Sequence, residues 1–323
     1  MNDSNKHPFD ILQPDFILNA IESIGFECDG RVTALNSYEN RVYQIGVEDA
    51  DPVIAKFYRP QRWSNQQIQE EHDYCFELAD AELPVVPPFR NQENVSLFEF
   101  GEFRFSLYPR KGGRAPELDN MENLFILGRF LGRIHMVGSA KSYQHRPSLN
   151  SQLYGHDSVA YLKHNFIPAD LLSNFDSITN ELLVCIDEIF DNAGDLTAIR
   201  VHGDCHIGNM LWRDELPHFI DFDDSRMAPA VQDIWMLLSG DQREQKIQLS
   251  EIIEGYNEFS EFNTNELVLI ESLRTLRMLY FSAWLARRWD DPAFPLGFPW
   301  FNTRKYWEDY IVSLNEQANL LSS

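Results

Sequence analysis

Short apolar runs bounded by turn-forming residues dominate the first hundred positions. A stretch at 15–24 suits a short helix, and three β-prone runs follow at 31–35, 41–47 and 53–58. The last of these, VIAKFY, is dense in β-branched and aromatic residues, which fit a pleated, half-buried surface. Ser64 then opens a helical stretch to about Ala81, with Ser64 as the N-cap and Gln67 as its capping-box partner. Pro84, Pro87 and Pro88 forbid its continuation. Two further strand-like runs, 95–100 and 103–108, flank Gly101-Glu102, a pair suited to a tight hairpin turn.

After Tyr108 the periodicity changes. Pro109-Arg110-Lys111-Gly112-Gly113-Arg114 has little to bury and reads as a linker. Beyond it, Leu124, Leu127, Leu131 and Ile134 recur at helical spacing, as do Ile234, Leu237 and Leu238. One strand-like island interrupts, at 198–221, and helical stretches at roughly 242–260, 265–288 and 303–320 complete the chain. The fold class is therefore α+β. A sheet-rich amino-terminal lobe spans 1–108, a joint spans 109–114, and a mostly helical carboxy-terminal lobe spans 115–323. Ligands favour the cleft between two such units.

An apolar share of 44 % is enough for a packed core and argues against disorder. The formal net charge of −23 repels nucleic acid and anionic lipid, since binding either requires Lys and Arg to replace counterions. A phosphate site must then make its own positive field, from a lysine, backbone N–H groups or a metal ion. Cys28, Cys75, Cys185 and Cys205 show neither CxxC nor a short repeated spacing, so they read as reduced thiols. The opening MNDSNKHPFD lacks the basic start and apolar run of a signal peptide. The longest apolar stretch, at 278–286, is far short of the ~20 residues a bilayer requires. A soluble, cytoplasmic monomer without nucleic-acid or membrane partners is expected.

The chemistry gathers in VHGDCHIGNMLWRDELPHFIDFDD. Phosphoryl transfer needs a carboxylate to orient the attacking hydroxyl and hard oxygen ligands that hold Mg2+ against the phosphates. Asp204, Asn209 and Asp221 offer that set if a loop and a hairpin bring them together. Asp and Asn also favour plain turns, so the trio alone is weak evidence. His202, Asp204 and His206 could instead ligate a transition metal, but no cluster of further ligands lies nearby; His202 reads better as a residue that holds the loop. Lys56 sits inside a buried-type strand, where a lysine needs a reason. Arg274, Arg277 and Arg288 fall on one helix face at ~100° per residue; pairing within this acidic chain is their simplest use, reception of an acidic substrate segment the other.

The order D-x4-N followed by D matches the catalytic loop and metal-binding Asp of protein kinases. The local form HGDCHIGN resembles the HGD-x4-N of aminoglycoside and choline kinases. LNSYENRVYQI, VIAKFYRP, EEH, LGRIH, APAVQDIWMLLSG and RRWDDPAFP further resemble the stress response kinase A family, bacterial serine/threonine protein kinases of that superfamily. The likeness runs from about Pro14 to the last helix.

This resemblance implies a bilobal protein-kinase-like fold, with a five-stranded antiparallel sheet and one main helix in the first lobe. It implies ATP as co-substrate, Mg2+ as cofactor and a protein bearing Ser or Thr as partner. Asp204 becomes the base, and Asn209 and Asp221 the Mg2+ ligands. Lys56 would hold the α/β-phosphates and pair with Glu71, with Glu70 as the alternative. The stretch 36–40 would replace a glycine-rich loop, with Ser37 near the phosphates, and Asp233 would brace the catalytic loop. Two departures are evident: no GxGxxG precedes Lys56, and Asp221 to Pro229 leaves no room for a long activation loop. A constitutively assembled site is expected. A small-molecule kinase remains open, since Asp223 and Asp224 would suit a cationic substrate. A non-catalytic ATP-binding scaffold would lack one of Lys56, Asp204, Asn209 and Asp221, yet all four are present.

Overall fold

The structure, a computed structural model, describes residues 7–194 and 196–322. Five strands form the amino-terminal sheet: β1 (Cys28–Ala34), β2 (Arg41–Val47), β3 (Val53–Phe57), β4 (Phe98–Phe100) and β5 (Phe103–Pro109). All neighbours are antiparallel, in the order β1-β2-β3-β5-β4. Strand alternation divides the side chains cleanly. Val53, Ala55 and Phe57 with Phe103, Phe105 and Leu107 point to one face, where Ile17, Ala20 and Ile21 of α1 (Pro14–Glu22) complete an apolar core. Lys56 and Ser106, opposite one another in register, point to the other face, toward α2 (Asn65–Asp80).

The start of α2 follows the expected chemistry. The Ser64 hydroxyl accepts the Gln67 N–H at 3.2 Å, and the Gln67 side chain accepts the Ser64 N–H at 2.8 Å. Its buried face carries His72, whose ring meets the Tyr58 hydroxyl at 2.8 Å and the Ser96 hydroxyl at 2.9 Å. This polar knot explains why the expected strand at 95–100 shortens to β4. The Asn91 side chain takes the Val95 N–H at 2.8 Å, and the Ser106 hydroxyl donates to the Ser96 carbonyl at 2.9 Å. Those backbone groups are satisfied away from a ladder.

The second lobe contains α3 (Met121–Ser139), α4 (Asp157–Asn165), α5 (Leu172–Asn192), α6 (Val231–Ile234), α7 (Gln242–Tyr256), α8 (Ile270–Arg287), α9 (Ala293–Gly297) and α10 (Arg304–Leu321). Two glycines let α3 and α7 touch through their backbones. A Cβ on Gly128 would lie 2.1 Å from the Ile252 carbonyl oxygen, and one on Gly255 would lie 2.1 Å from that of Phe125. The strand-like island folds as two small ladders, β6 (Ile199–Val201) with β9 (Arg226–Ala228), and β7 (Met210–Arg213) with β8 (Leu216–Phe219). It therefore extends past the expected limit at 221, because β9 pairs back onto β6. The joint is also less free than its glycines suggest: Arg114 and Trp212 exchange backbone hydrogen bonds of 3.1 and 2.6 Å. Among the described residues no helix is long and apolar enough to cross a membrane.

Burial pushes the His72 imidazole down to about 3, with the Lys56 and Arg146 charges adding to the effect. A folded-state value below the ordinary one means that the unfolded chain takes up a proton first. Stability is thus complete above the usual histidine range and lost as pH falls toward 3. The loss should approach ~1.4 kcal/mol per pH unit at its steepest. Urea melts of wild type and His72→Gln between pH 7 and pH 5 should show a shallower slope in the variant; parallel slopes would remove His72 as the cause.

Candidate active site

A buried carboxylate shapes the loop that follows β6. Asp233, on α6, accepts the His202 N–H at 2.7 Å and the Gly203 N–H at 2.8 Å, and meets the His135 ring at 3.1 Å. Its side chain is fully enclosed. Gly203 has φ +85, and a Cβ there would lie 2.2 Å from the Asp224 carbonyl oxygen, so the loop can pass only as glycine. The His202 ring meets the Ile220 carbonyl at 2.9 Å and packs on Phe222. The transition-metal reading finds no support there, since His202 faces main chain and the His206 Nδ1 accepts the Gly208 N–H at 2.9 Å. Among the described residues no three His, Cys, Asp or Glu side chains group as a metal cage.

Asp221 follows β8 with φ 60, a left-handed conformation unfavourable for a residue with a Cβ. The main chain then turns straight into β9, leaving no long intervening loop. Its carboxylate, half exposed at 53 %, meets the Lys56 ammonium at 2.8 Å. Lys56 also meets Asp223 at 3.2 Å and Glu71 at 3.8 Å. Burial alone would drive its proton off, but Asp221 and Asp223 outweigh that and hold the ammonium charged. Glu71 is the looser partner: burial pushes it up to about 7 against the pull of Lys56. Arg146 stands 3.7 Å from its other oxygen. Glu70 is used elsewhere, accepting the backbone N–H groups of Gln144 at 2.6 Å and Arg146 at 2.9 Å.

Asp204 lies across the cleft. The Asn209 side-chain amide donates to the Asp204 carbonyl at 2.9 Å, which leaves the Asn209 amide oxygen for another partner. The His206 Nε2 stands 3.4 Å from one Asp204 carboxylate oxygen and Arg277 Nη1 2.5 Å from the other. Burial would raise this acid, but His206 and Arg277 together hold it well below the usual carboxylate range. With the His206 Nδ1 accepting from Gly208, its Nε2 carries the proton.

The segment 36–40 forms the roof. The Ser37 hydroxyl accepts the Val42 N–H at 3.0 Å, which closes the turn on itself. Glu39 then reaches the helical lobe, where it accepts from the Trp284 indole and pairs with Arg288 at 3.0 Å, while Arg59 of its own lobe meets it at 2.9 Å. Tyr38 packs against Phe298, with ring centroids 4.6 Å apart. Buried Asp291 adds Arg41 at 2.9 Å and Arg59 at 2.7 Å.

A cavity of about 520 Å3 beneath this roof is lined by Ser37, Lys56, Asp204, Asn209 and Asp221, with Arg277 in its wall. Five of the six sequence-predicted site residues therefore share it; Glu71 stands behind Lys56. Asn209 and Asp221 supply free hard oxygens beside a cation suited to phosphates, a donor set that fits a Mg2+ ion completed by phosphate oxygens and water. Sequence reasoning missed Arg62, which pairs with Asp223 and, at 2.9 Å, with Asp224; it expected Arg277 to pair within the chain, as it does, but did not indicate Asp204 as the partner. Neither carries a local signal, because each is made by distant segments meeting.

Asp233→Asn keeps the shape but turns one acceptor into a donor facing an N–H. It should cost ~1–3 kcal/mol and lower any activity that depends on the loop carrying Asp204. Guanidine unfolding and initial rates check this; a fully stable, fully active variant would sink the bracing role.

The fold and site have known counterparts. The phosphotransferase enzyme family matches residues 31–267. Stress response kinase A of Escherichia coli (strain K12) is 44 % identical over 322 residues, covering 99 % of this chain and 97 % of that protein. The serine/threonine protein kinase RdoA of Salmonella typhimurium is 43 % identical with the same coverage. Among solved structures, amicoumacin kinase hAmiN in complex with AMP-PNP, Ca2+ and Ami superimposes with a TM-score of 0.70 at 20 % identity, covering 91 % of this chain and 93 % of that one. With a family match over most of its length and close relatives end to end, this α+β, bilobal, kinase-like chain belongs to the phosphotransferase enzyme family, beside stress response kinase A.

Proposed function

We propose that the chain is an ATP- and Mg2+-dependent serine/threonine protein kinase acting in bacterial stress response. The observation that carries the reading is the meeting of Lys56, Asn209, Asp221 and Asp204 in one cleft of a chain nearly half identical to stress response kinase A. The protein acceptor is supported by the name of the RdoA relative. In this reading 1–108 and 115–323 are the working lobes and 109–114 the hinge, and the protein acts as a cytoplasmic monomer.

Each residue then has a physical task. Lys56 holds the α/β-phosphates, kept in place by Glu71 behind it, and Ser37 stands at the roof above them. Asn209 and Asp221 would bind Mg2+, which supplies charge neutralisation along the phosphates when bound. Asp204 accepts a hydrogen bond from the acceptor hydroxyl and aims its oxygen at the γ-phosphorus. A depressed carboxylate is a weak base, which suits a loose transition state in which the hydroxyl proton leaves late.

A small-molecule acceptor is the second reading, favoured by the likeness to an amicoumacin kinase. The carboxylates that would welcome a cationic substrate are engaged: Asp223 by Arg62 and Lys56, and Asp224 by Arg62 and Arg226. Mg-ATP offered with mixed protein, and separately with a metabolite panel, decides between the two. Phosphorylation of metabolites alone would end the protein-kinase reading.

Two variants test the roles. Asp204→Ala should lose on the order of a thousandfold in kcat, several kcal/mol at ~1.4 per decade, while ATP-analogue binding by calorimetry stays near wild type. Asp221→Ala should instead weaken Mg-ATP binding itself; an unaltered Mg2+ titration would remove Asp221 from the metal.

A further inference from the structure

Four cations line the cleft, and three are committed. Lys56 is shared by Asp221, Asp223 and Glu71, buried Arg62 by Asp223 and Asp224, and buried Arg226 by the Asp224 carboxylate and carbonyl. Arg277 differs. Its side chain is 41 % exposed in the cavity wall, and among the described residues its ion-pair partner is Asp204 alone. That pair is close without being a formed hydrogen bond: Nη1 stands 2.5 Å from Oδ1, yet this buried oxygen has no aligned donor. A guanidinium prefers two parallel N–H bonds to one planar anion, and Asp204 does not provide them.

We propose that Arg277 selects the acceptor, by binding a negative charge beside the reacting hydroxyl on an acidic polypeptide segment and, in moving to it, leaving Asp204 free for that hydroxyl. The inference rests on the reading of Asp204 as the group that orients the acceptor. The incoming anion replaces a poorly aligned partner with a bidentate one, so recognition and release of Asp204 are one event. An amine would gain little here, because the nearby carboxylates already hold Lys56, Arg62 and Arg226, and it would meet Arg277 as a like charge. A polypeptide suits the surroundings better than a metabolite. Phe281, four residues on along α8, is 40 % exposed at the cavity, and the ring contacts run on through Trp284 and Phe298 to Trp300, 46 % exposed. A chain lying over the cleft mouth has apolar surface to rest on.

The test uses the full-length protein with Mg-ATP and two peptides that differ only in flanking the serine with Asp or with Lys. Wild type should favour the Asp peptide on the order of tenfold in kcat/KM. Arg277→Gln should bring the ratio near one, Arg277→Lys should keep part of it, and Arg277→Glu should invert it. Circular dichroism confirms that each variant is folded. A wild type that favours the Lys peptide, or a ratio that survives Arg277→Gln, overturns the proposal while protein phosphorylation itself stands. If Arg277→Gln is inactive on both peptides, Arg277→Lys decides by the same ratio. A hydroxy acid and an amino alcohol are run in parallel. Turnover of the hydroxy acid alone, with that preference lost in Arg277→Gln, would sink the protein acceptor and keep Arg277 as the charge selector. Turnover of the amino alcohol alone would end both.

Discussion

Charge burial governs this molecule. Lys56, Arg62 and Arg146 are buried between the sheet and the helical lobe, where Asp221, Asp223, Asp224 and Glu71 meet them and the Ser225 and Asp223 carbonyls accept from Arg146. Removing one member leaves the others uncompensated, so the cluster fixes both lobes around a single arrangement. In a chain with a net charge of −23, the cluster brings Lys56 and Arg62 to the cleft but matches them with carboxylates.

A second carboxylate performs the matching task for the loop. Asp233 gathers two consecutive backbone N–H groups and a histidine, three donors on one buried side chain. Gly203 supplies the backbone shape that lets both N–H groups face it. Asp204 then emerges from a segment with little freedom. Pre-set geometry of this kind spares a reaction the cost of ordering its groups. The direct passage from Asp221 into β9 extends the same rigidity to the other end of the cleft.

How much of this the sequence made legible depended on range. Local signals held: the capping box at Ser64 and Gln67, the hairpin at Gly101, and the alternation that buries Val53, Ala55 and Phe57 beneath α1. The spacing of Asp204, Asn209 and Asp221 also carried through, because a loop and a hairpin of fixed length bring them to one cavity. Choosing between Glu70 and Glu71 needed helix phase: one residue turns the side chain by ~100°, enough to face a neighbouring backbone instead of Lys56. The shortened β4 and the extension to β9 were illegible, since a buried histidine knot and a long-range ladder decided them. Arg62 was silent because its partners come from another segment, and for Arg277 the sequence indicated pairing within the chain but not Asp204 as the partner.

The roof has a kinetic corollary. Tyr38 and Glu39 do not hang freely over the cavity; rings and ion pairs moor them to the helical lobe at Trp284, Arg288 and Phe298. A flap moored at both ends trades speed of exchange for shelter. In the proposed reaction a nucleotide would lie beneath this segment and would leave only when those moorings part.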